Sequence, residues 1–183
     1  LCADAGVPDN LIAAGIRHPM CRNVVALTDD NAVNLHVAIT AKVLNPVVNV
    51  ISRASAHDIE ANMASFGTEH IIDPFDSFAH DLGLATYAPY QFLLSLWMRS
   101  EPGEHLPDVQ KVPEGEWILC GYGRFGQAIH AEMVNQGLSV QVVEPRTDIP
   151  NLTPDAVIGD GTGAEILIRA GVESAVGIIA GTD

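Results

Sequence analysis

The residues with the most chemical potential in this chain are six in a row, Gly121-Tyr122-Gly123-Arg124-Phe125-Gly126, and an acid 23 positions after the first of them, Glu144. Glycine at the first position permits a tight turn, and at the third it lets backbone N–H groups approach a charged group closely. At the sixth it lets a following helix lie close against the strand before it. Unpaired amides and the positive dipole end at a helix start suit phosphate oxygens, so the expected chemistry is binding. An acid at the end of the next strand can accept from ribose hydroxyls, and its charge disfavours a 2′-phosphate. Arg146, two residues on, works against that preference. Arg124 has two readings: it sits over the phosphates, or it covers the helix with its stem. Asp160 also has two: a carboxylate facing adenine or its ribose, or a loop acid capping the next helix. Thr182 and Asp183 are expected to lie beside the glycine turn.

G-x-G-x-x-G alone is a weak signal. It gains force when an apolar strand leads in, a helix leads out and a second strand ends at the acid. The flanking residues supply that context. Residues 117–120 read as a strand, and Phe125, Ile129 and Met133 share one face of a helix that Gly137 stops. Residues 138–143 and 156–158 read as further strands, Thr162 and Glu165 as a capping box, Gly171 as a helix stop, and 176–180 as a last strand. The first part of the chain alternates in the same way. Strands are expected at 23–27, 47–51 and 70–72. One helix follows Thr28-Asp29-Asp30, with Ala32, Leu35, Ile39 and Val43 on its inner face. Another runs from a Ser55–Asp58 box through Ile59, Met63 and Phe66 to Gly67. Pro89 opens an unusually apolar helix through Arg99, and residues 101–116, rich in Pro and Gly, read as a linker. Strand–helix alternation of this kind predicts an α/β fold with a doubly wound parallel sheet.

The sequence also repeats. Asp4, Leu11, Ile12, Ala14 and Gly15 recur as Asp160, Leu167, Ile168, Ala170 and Gly171, each pair 156 apart. After a two-residue slip, Val24-Val25-Ala26-Leu27-Thr28-Asp29 is answered by Ile178-Ile179-Ala180-Gly181-Thr182-Asp183. The spacing is about one domain. Residues 1–100 are therefore expected to be the later half of one repeat and 117–183 the earlier half of the next. Two arrangements follow: one permuted sheet in the order 3-2-1-4-5-6, or two half-sheets completed between chains. Either way strand 176–180 competes with strand 23–27 for the same slot.

Composition excludes several classes. With 9 Lys+Arg against 23 Asp+Glu the net charge is −14, which repels nucleic acid and anionic lipid over the whole surface. Cys2, Cys21 and Cys120 lie far apart with no C-x-x-C, so neither a disulfide framework nor a zinc site is expected, and a reducing, cytoplasmic setting fits. The longest uncharged run, 82–98, contains Gly and Pro and falls short of a membrane span. The seven histidines make no metal-ligand spacing. A dehydrogenase would need a second surface to present substrate to the cofactor, and the chain shows no segment for one.

The ordered set of motifs resembles the RCK (TrkA-N) family, the cytoplasmic regulators of potassium channels and transporters. The residues that carry the resemblance are G-Y-G-R-F-G after a strand, Glu144, Gly159-Asp160, Leu167-Ile168-Arg169-Ala170-Gly171-Val172, and in the first part Thr28-Asp29-Asp30-Asn31-Ala32-Val33-Asn34-Leu35 and Asn49-Val50-Ile51-Ser52-Arg53-Ala54. The resemblance implies a Rossmann fold that takes NAD, NADH or an adenine nucleotide (ATP, ADP or AMP) as an effector, not a reactant. Gly121, Tyr122, Gly123, Arg124, Phe125, Gly126, Glu144 and Asp160 inherit the binding role by position. It further implies a homo-oligomer, a dimer or a larger ring, formed through the later-half helices including Pro89–Arg99. It also implies a membrane channel or transporter as partner, and a location at the inner face of the membrane. The competing readings are a fragment of an NAD-dependent oxidoreductase and a module that serves only in assembly.

Overall fold

The computed structural model describes residues 1–109 and 113–181; the expected positions of Thr182 and Asp183 lie outside the described residues. The chain divides into two compact units, Leu1–Pro74 and Phe75–Asp183. In the first, α1 (Pro8–Ala13), β1 (Asn23–Ala26), α2 (Asn31–Leu44), β2 (Asn49–Arg53), α3 (His57–Ser65) and β3 (His70–Ile72) follow in order. The second contains α4 (beginning at Pro74 and ending at Tyr87), α5 (Pro89–Arg99), β4 (Glu116–Cys120), α6 (Arg124–Asn135), β5 (Ser139–Glu144), β6 (Val157–Ile158), α7 (Ala164–Arg169) and β7 (Gly177–Ala180). All strand pairs are parallel, as the alternation predicts.

Two sheets form, ordered β1-β2-β3 and β6-β5-β4-β7. The contest for the slot beside β4 is won by β7, with Ile118 opposite Ile178 and Cys120 opposite Ala180. The single permuted sheet is thus not the arrangement adopted. A strand has two edges, and β4 uses one for β5 and the other for β7.

The second sheet is covered on both faces because β4 and β5 alternate in register. Leu119 and Val142 join Ile129 and Met133 of α6, Ala79 of α4 and Tyr122 in one core. Ile118 and Val143 turn the other way, to Ala170, Ile166 and Leu167 at α7. Burying such side chains contributes about 1.5–3 kcal/mol each, so these paired cores hold β4 and α6 in fixed relation. In the first unit, Val24, Val48 and Val50 pack with Leu11, Ile12 and Ile16 below α2, where Ala38 and Ala41 are fully buried.

The inner face of α2 is not the expected one. The buried positions are Asn34, Val37, Ala38 and Ala41, while Val43 is 73% exposed. A buried polar side chain, Asn34, sets the rotation. Its Oδ1 accepts from the Thr28 N–H and hydroxyl (2.9 and 2.8 Å), and its Nδ2 donates to the Thr28 and Arg53 carbonyls (2.8 and 3.2 Å). Four satisfied bonds outweigh the apolar gain of turning Leu35 and Val43 inward. Asp30 caps α2 as expected. The two capping boxes are not seen among the described residues: the N-caps of α3 and α7 are Ala56 and Gly163, Ser55 bonds Asn31, and Thr162 bonds Asp160. Strand β2 starts two residues later than read, after the turn in which Val48 N–H bonds the Asn45 carbonyl. Helix α4 packs with the second unit, where Ala79 is buried in the core and Leu82 lies against it.

Candidate nucleotide-binding cleft

At the carboxyl ends of β4, β5 and β7 lies a cleft of about 830 Å³, within the range of about 300–1,000 Å³ usual for small-molecule sites. Its floor is the turn from β4 into α6. Gly121 has φ +97°, a conformation that side chains resist, and its N–H bonds the Val143 carbonyl at 2.8 Å. Gly123 caps α6 with extended backbone and offers no side-chain oxygen, so the first-turn amides keep the donors that helix geometry leaves without an intrahelical partner. A Cβ on Gly126 would stand 2.1 Å from Gly121 O, so helix and turn touch through bare backbone. Gly181 completes the junction: its Cβ would lie 3.1 Å from Gly126 Cα, and its N–H bonds the Cys120 carbonyl at 2.8 Å.

Glu144, 2% exposed, ties this turn to the second strand. Its Oε2 accepts from the Tyr122 N–H at 2.6 Å, and its Oε1 accepts from the N–H and Nε of Arg146 at 3.1 and 2.9 Å. Burial pushes this carboxyl's pKa up, but the Arg146 side chain and the two backbone donors outweigh that and hold it below the ordinary carboxylate value. Three accepted bonds leave about one of the four acceptor positions of a carboxylate for a ligand hydroxyl. Asp160 lines the same cleft. Its Oδ1 accepts from the Thr162 N–H and hydroxyl (2.9 and 2.8 Å), which lower its pKa. It braces its own loop and does not cap α7, whose N-cap is Gly163.

Six of the eight expected residues meet at the cleft: Gly121, Gly123, Arg124, Glu144 and Asp160 line it, and Gly126 supports its floor. The side chains of Tyr122 and Phe125 do not. The Tyr122 ring is 5% exposed in the core, with its hydroxyl 3.2 Å from His130 Nδ1, and the Phe125 ring meets Phe75 and Phe78. In a helix start packed on a sheet, every second or third side chain must turn inward, and only the Tyr122 amide serves the site. The sequence reading missed Gln127, whose Nε2 bonds the Tyr122 carbonyl at 3.1 Å, and the lining residues Cys120, Ile149, Thr162 and Ile178. One turn beyond Gly123, Gln127 could have been found from its place on α6. Among the described residues, no group of three or more His, Cys, Asp or Glu side chains could hold a metal ion.

The family profile of the TrkA-N domain matches residues 1–74 and 117–183. The chain belongs to the TrkA-N domain family. The match omits residues 75–116, which hold α4 beyond Pro74, α5 and the linker. No curated protein matches the sequence. Solved structures share this chain's fold, three of GsuK among them. The GsuK channel bound to NAD matches with TM-score 0.69 at 16% identity, over 97% of this chain and 43% of that one. GsuK bound to ADP matches with TM-score 0.66 at 18% identity, over 98% and 40%. The GsuK RCK domain matches with TM-score 0.65 at 15% identity, over 96% and 52%. The TrkA-N chain thus spans about half or less of the length of these proteins.

Proposed function

We propose that the Phe75–Asp183 unit binds NAD, NADH or an adenine nucleotide (ATP, ADP or AMP) as an effector, and that the chain is a cytoplasmic regulatory module of a potassium channel or transporter. The observation that carries the reading is the cleft itself. Bare backbone donors at the start of α6, an ionised Glu144 and Asp160 converge on one space at the carboxyl ends of parallel strands. The glycine cradle fits a pyrophosphate, since Gly121, Gly126 and Gly181 leave no side chain in its floor. Gly123 and Arg124 would face the phosphates and Glu144 a ribose. The GsuK structures with NAD and with ADP support both ligand types, and that GsuK is a channel supports signalling over turnover.

A self-associating assembly belongs to the same proposal. No residue of α5 is buried in the chain, and Tyr90, Leu94, Trp97 and Met98 are 55–76% exposed along one stripe. Such a face suits a second copy. Among the described residues no helix is long and apolar enough to cross a membrane. Attachment to the inner face would come through the membrane partner or through a segment outside this sequence.

Calorimetry with NAD, NADH, ATP, ADP and AMP tests the assignment. Adenine nucleotides without nicotinamide are expected to bind, and Gly123→Val is expected to abolish binding while leaving the circular dichroism spectrum unchanged. If none binds, or if Gly123→Val binds as the parent does, the site is wrong. If only the dinucleotide binds and the protein turns over an alcohol or hydroxy acid, the effector reading is wrong.

A further inference from the structure

We infer that Arg124 is a two-position switch, shared between the phosphates of a bound nucleotide and the ring of Phe75, and that it transmits occupancy to helix α4. The inference rests on the nucleotide-site reading above and names the regulation of that site.

Two observations place one side chain in two roles. Arg124 is the first residue of α6, is exposed, and lines the cleft. Its guanidinium carbon also lies 5.3 Å from the centroid of the Phe75 ring, in the first turn of α4. A guanidinium over an aromatic face is attracted by the ring quadrupole, but at an exposed site the pair is weak. A phosphate offers charge-assisted hydrogen bonds, roughly twice as strong as neutral ones, to the same donors. A nucleotide whose phosphates rest on the Gly121–Gly126 turn would therefore draw the guanidinium from the ring.

The neighbouring contacts decide what that release does. Phe125, the next residue of α6, meets Phe75 at 5.6 Å between ring centroids and Phe78 at 5.2 Å, edge to face. Further along, Gly83 lies so close to Glu132 that a Cβ there would stand 2.6 Å from Glu132 Cγ, and Ala79 is buried in the α6 core. Two ring contacts and a tight glycine crossing keep α4 on α6 when Arg124 leaves. Only the first turn of α4 loses a partner, so the response is a loosening at Phe75, not dissociation. Through Tyr87 and Ala88, α4 runs directly into α5, the helix with the exposed apolar stripe. Linkage makes the device reciprocal: a partner of α4–α5 that pulls Phe75 from Arg124 raises nucleotide affinity by the same factor by which the nucleotide aids that partner.

The competition has a measurable sign. In Phe75→Leu the ring is gone while apolar bulk remains, so ADP no longer has to displace it and is expected to bind two- to fivefold more tightly, the span set by an exposed cation–π pair. Hydrogen–deuterium exchange of the full chain gives a second readout. ADP is expected to speed exchange in the amides of the first turns of α4 in the parent and to leave them unchanged in Arg124→Gln. If the parent binds ADP but Phe75→Leu binds equally or less well, and α4 exchange ignores ADP, the switch is refuted while the nucleotide site stands. If the parent binds neither ADP nor NAD, the site itself fails and the switch with it. Should Phe75→Leu not fold, the exchange comparison between the parent and Arg124→Gln decides alone.

Discussion

Replacing Glu144 tests how the cleft is held. In Glu144→Gln the side chain keeps its shape and loses its charge. Its amide has one acceptor and one donor end, whereas the protein presents donors on both sides: the Tyr122 N–H at 2.6 Å, and the N–H and Nε of Arg146 at 3.1 and 2.9 Å. The orientation with oxygen toward Tyr122 is favoured, because Tyr122 is buried while the Arg146 side chain is 61% exposed and can turn to water. The Tyr122 bond then falls from charge-assisted to neutral, a loss of about 1 kcal/mol. The exposed Arg146 pair adds between 0 and about 1 kcal/mol. The expected cost is about 1–2 kcal/mol. Glu144→Leu leaves the Tyr122 N–H buried without any acceptor and adds about 1–3 kcal/mol to that.

Urea unfolding followed by the fluorescence of Trp117, which lies on β4, reads both variants. With a slope of about 2 kcal/mol per molar, the midpoints should fall by about 0.5–1 M for Gln and by at least twice as much for Leu. The pH dependence has a fixed sign. The Glu144 carboxyl titrates below its ordinary value of 4.5 when folded, so its contribution is complete above that value and is lost as pH falls through the folded pKa. The gap between the parent and Glu144→Gln should therefore narrow on acidification. Equal midpoints for Leu and Gln, or a gap that widens toward acid, would refute the reasoning.

Gly126→Ala should destabilise the second unit by about 1–3 kcal/mol and weaken ADP binding, because its Cβ would meet Gly121 O at 2.1 Å and the backbone must part. Alanine's helix preference of about 1 kcal/mol works in the opposite direction, so a variant more stable than the parent in urea would show that the contact yields freely. In the first unit, the hydrogen bond from Lys42 lowers the Glu69 pKa to about 2, aided by the Val50 N–H and opposed by burial. Glu69→Gln should therefore lower the urea midpoint of the first unit at pH 6, with the difference shrinking as pH falls from 4.5 toward 2; a difference independent of pH would count against the pair.

What could be read in the sequence was what local residues determine. The glycine turn, its strand and Glu144 at the end of the next strand are each set by their own segment, and the structure brings them together. So are the helix stops at Gly67, Gly137 and Gly171, all with positive φ. The parts that escaped depend on distant partners. Helix α4 is absent from the elements read in the sequence; its Gly83 makes room for Glu132 of α6, which no neighbour of residue 83 in sequence announces. The rotation of α2 follows Asn34, a polar residue that periodicity counts as outward-facing. Tyr122 and Phe125 stand inside the binding motif, yet their side chains belong to the core, since a motif specifies backbone donors and leaves the rings to packing.

The repeat separates the two kinds of information further. Moved by 156, α1 falls on α7 residue for residue, and Gly15 at φ +95° falls on Gly171 at φ +85°. The same closing bond recurs, from the Ile16 N–H to the Leu11 carbonyl and from the Val172 N–H to the Leu167 carbonyl, at 3.1 and 3.0 Å. Strand β1 likewise falls on β7 after the slip. The next position differs: Leu27, 57% exposed, stands where the later copy has Gly181. A Cβ at 181 would come within 3.0 Å of Leu119 Cδ1, 3.1 Å of Gly126 Cα and 3.4 Å of Gly121 O. A strand and a helix stop need only their own residues, so they persist in both copies. A close approach needs glycine only where a second backbone arrives, and in this chain that backbone is the turn from β4 into α6. The glycine at 181 therefore belongs to the cleft and not to the strand it ends, and the binding geometry rests on Gly121, Gly126 and Gly181 meeting at one point.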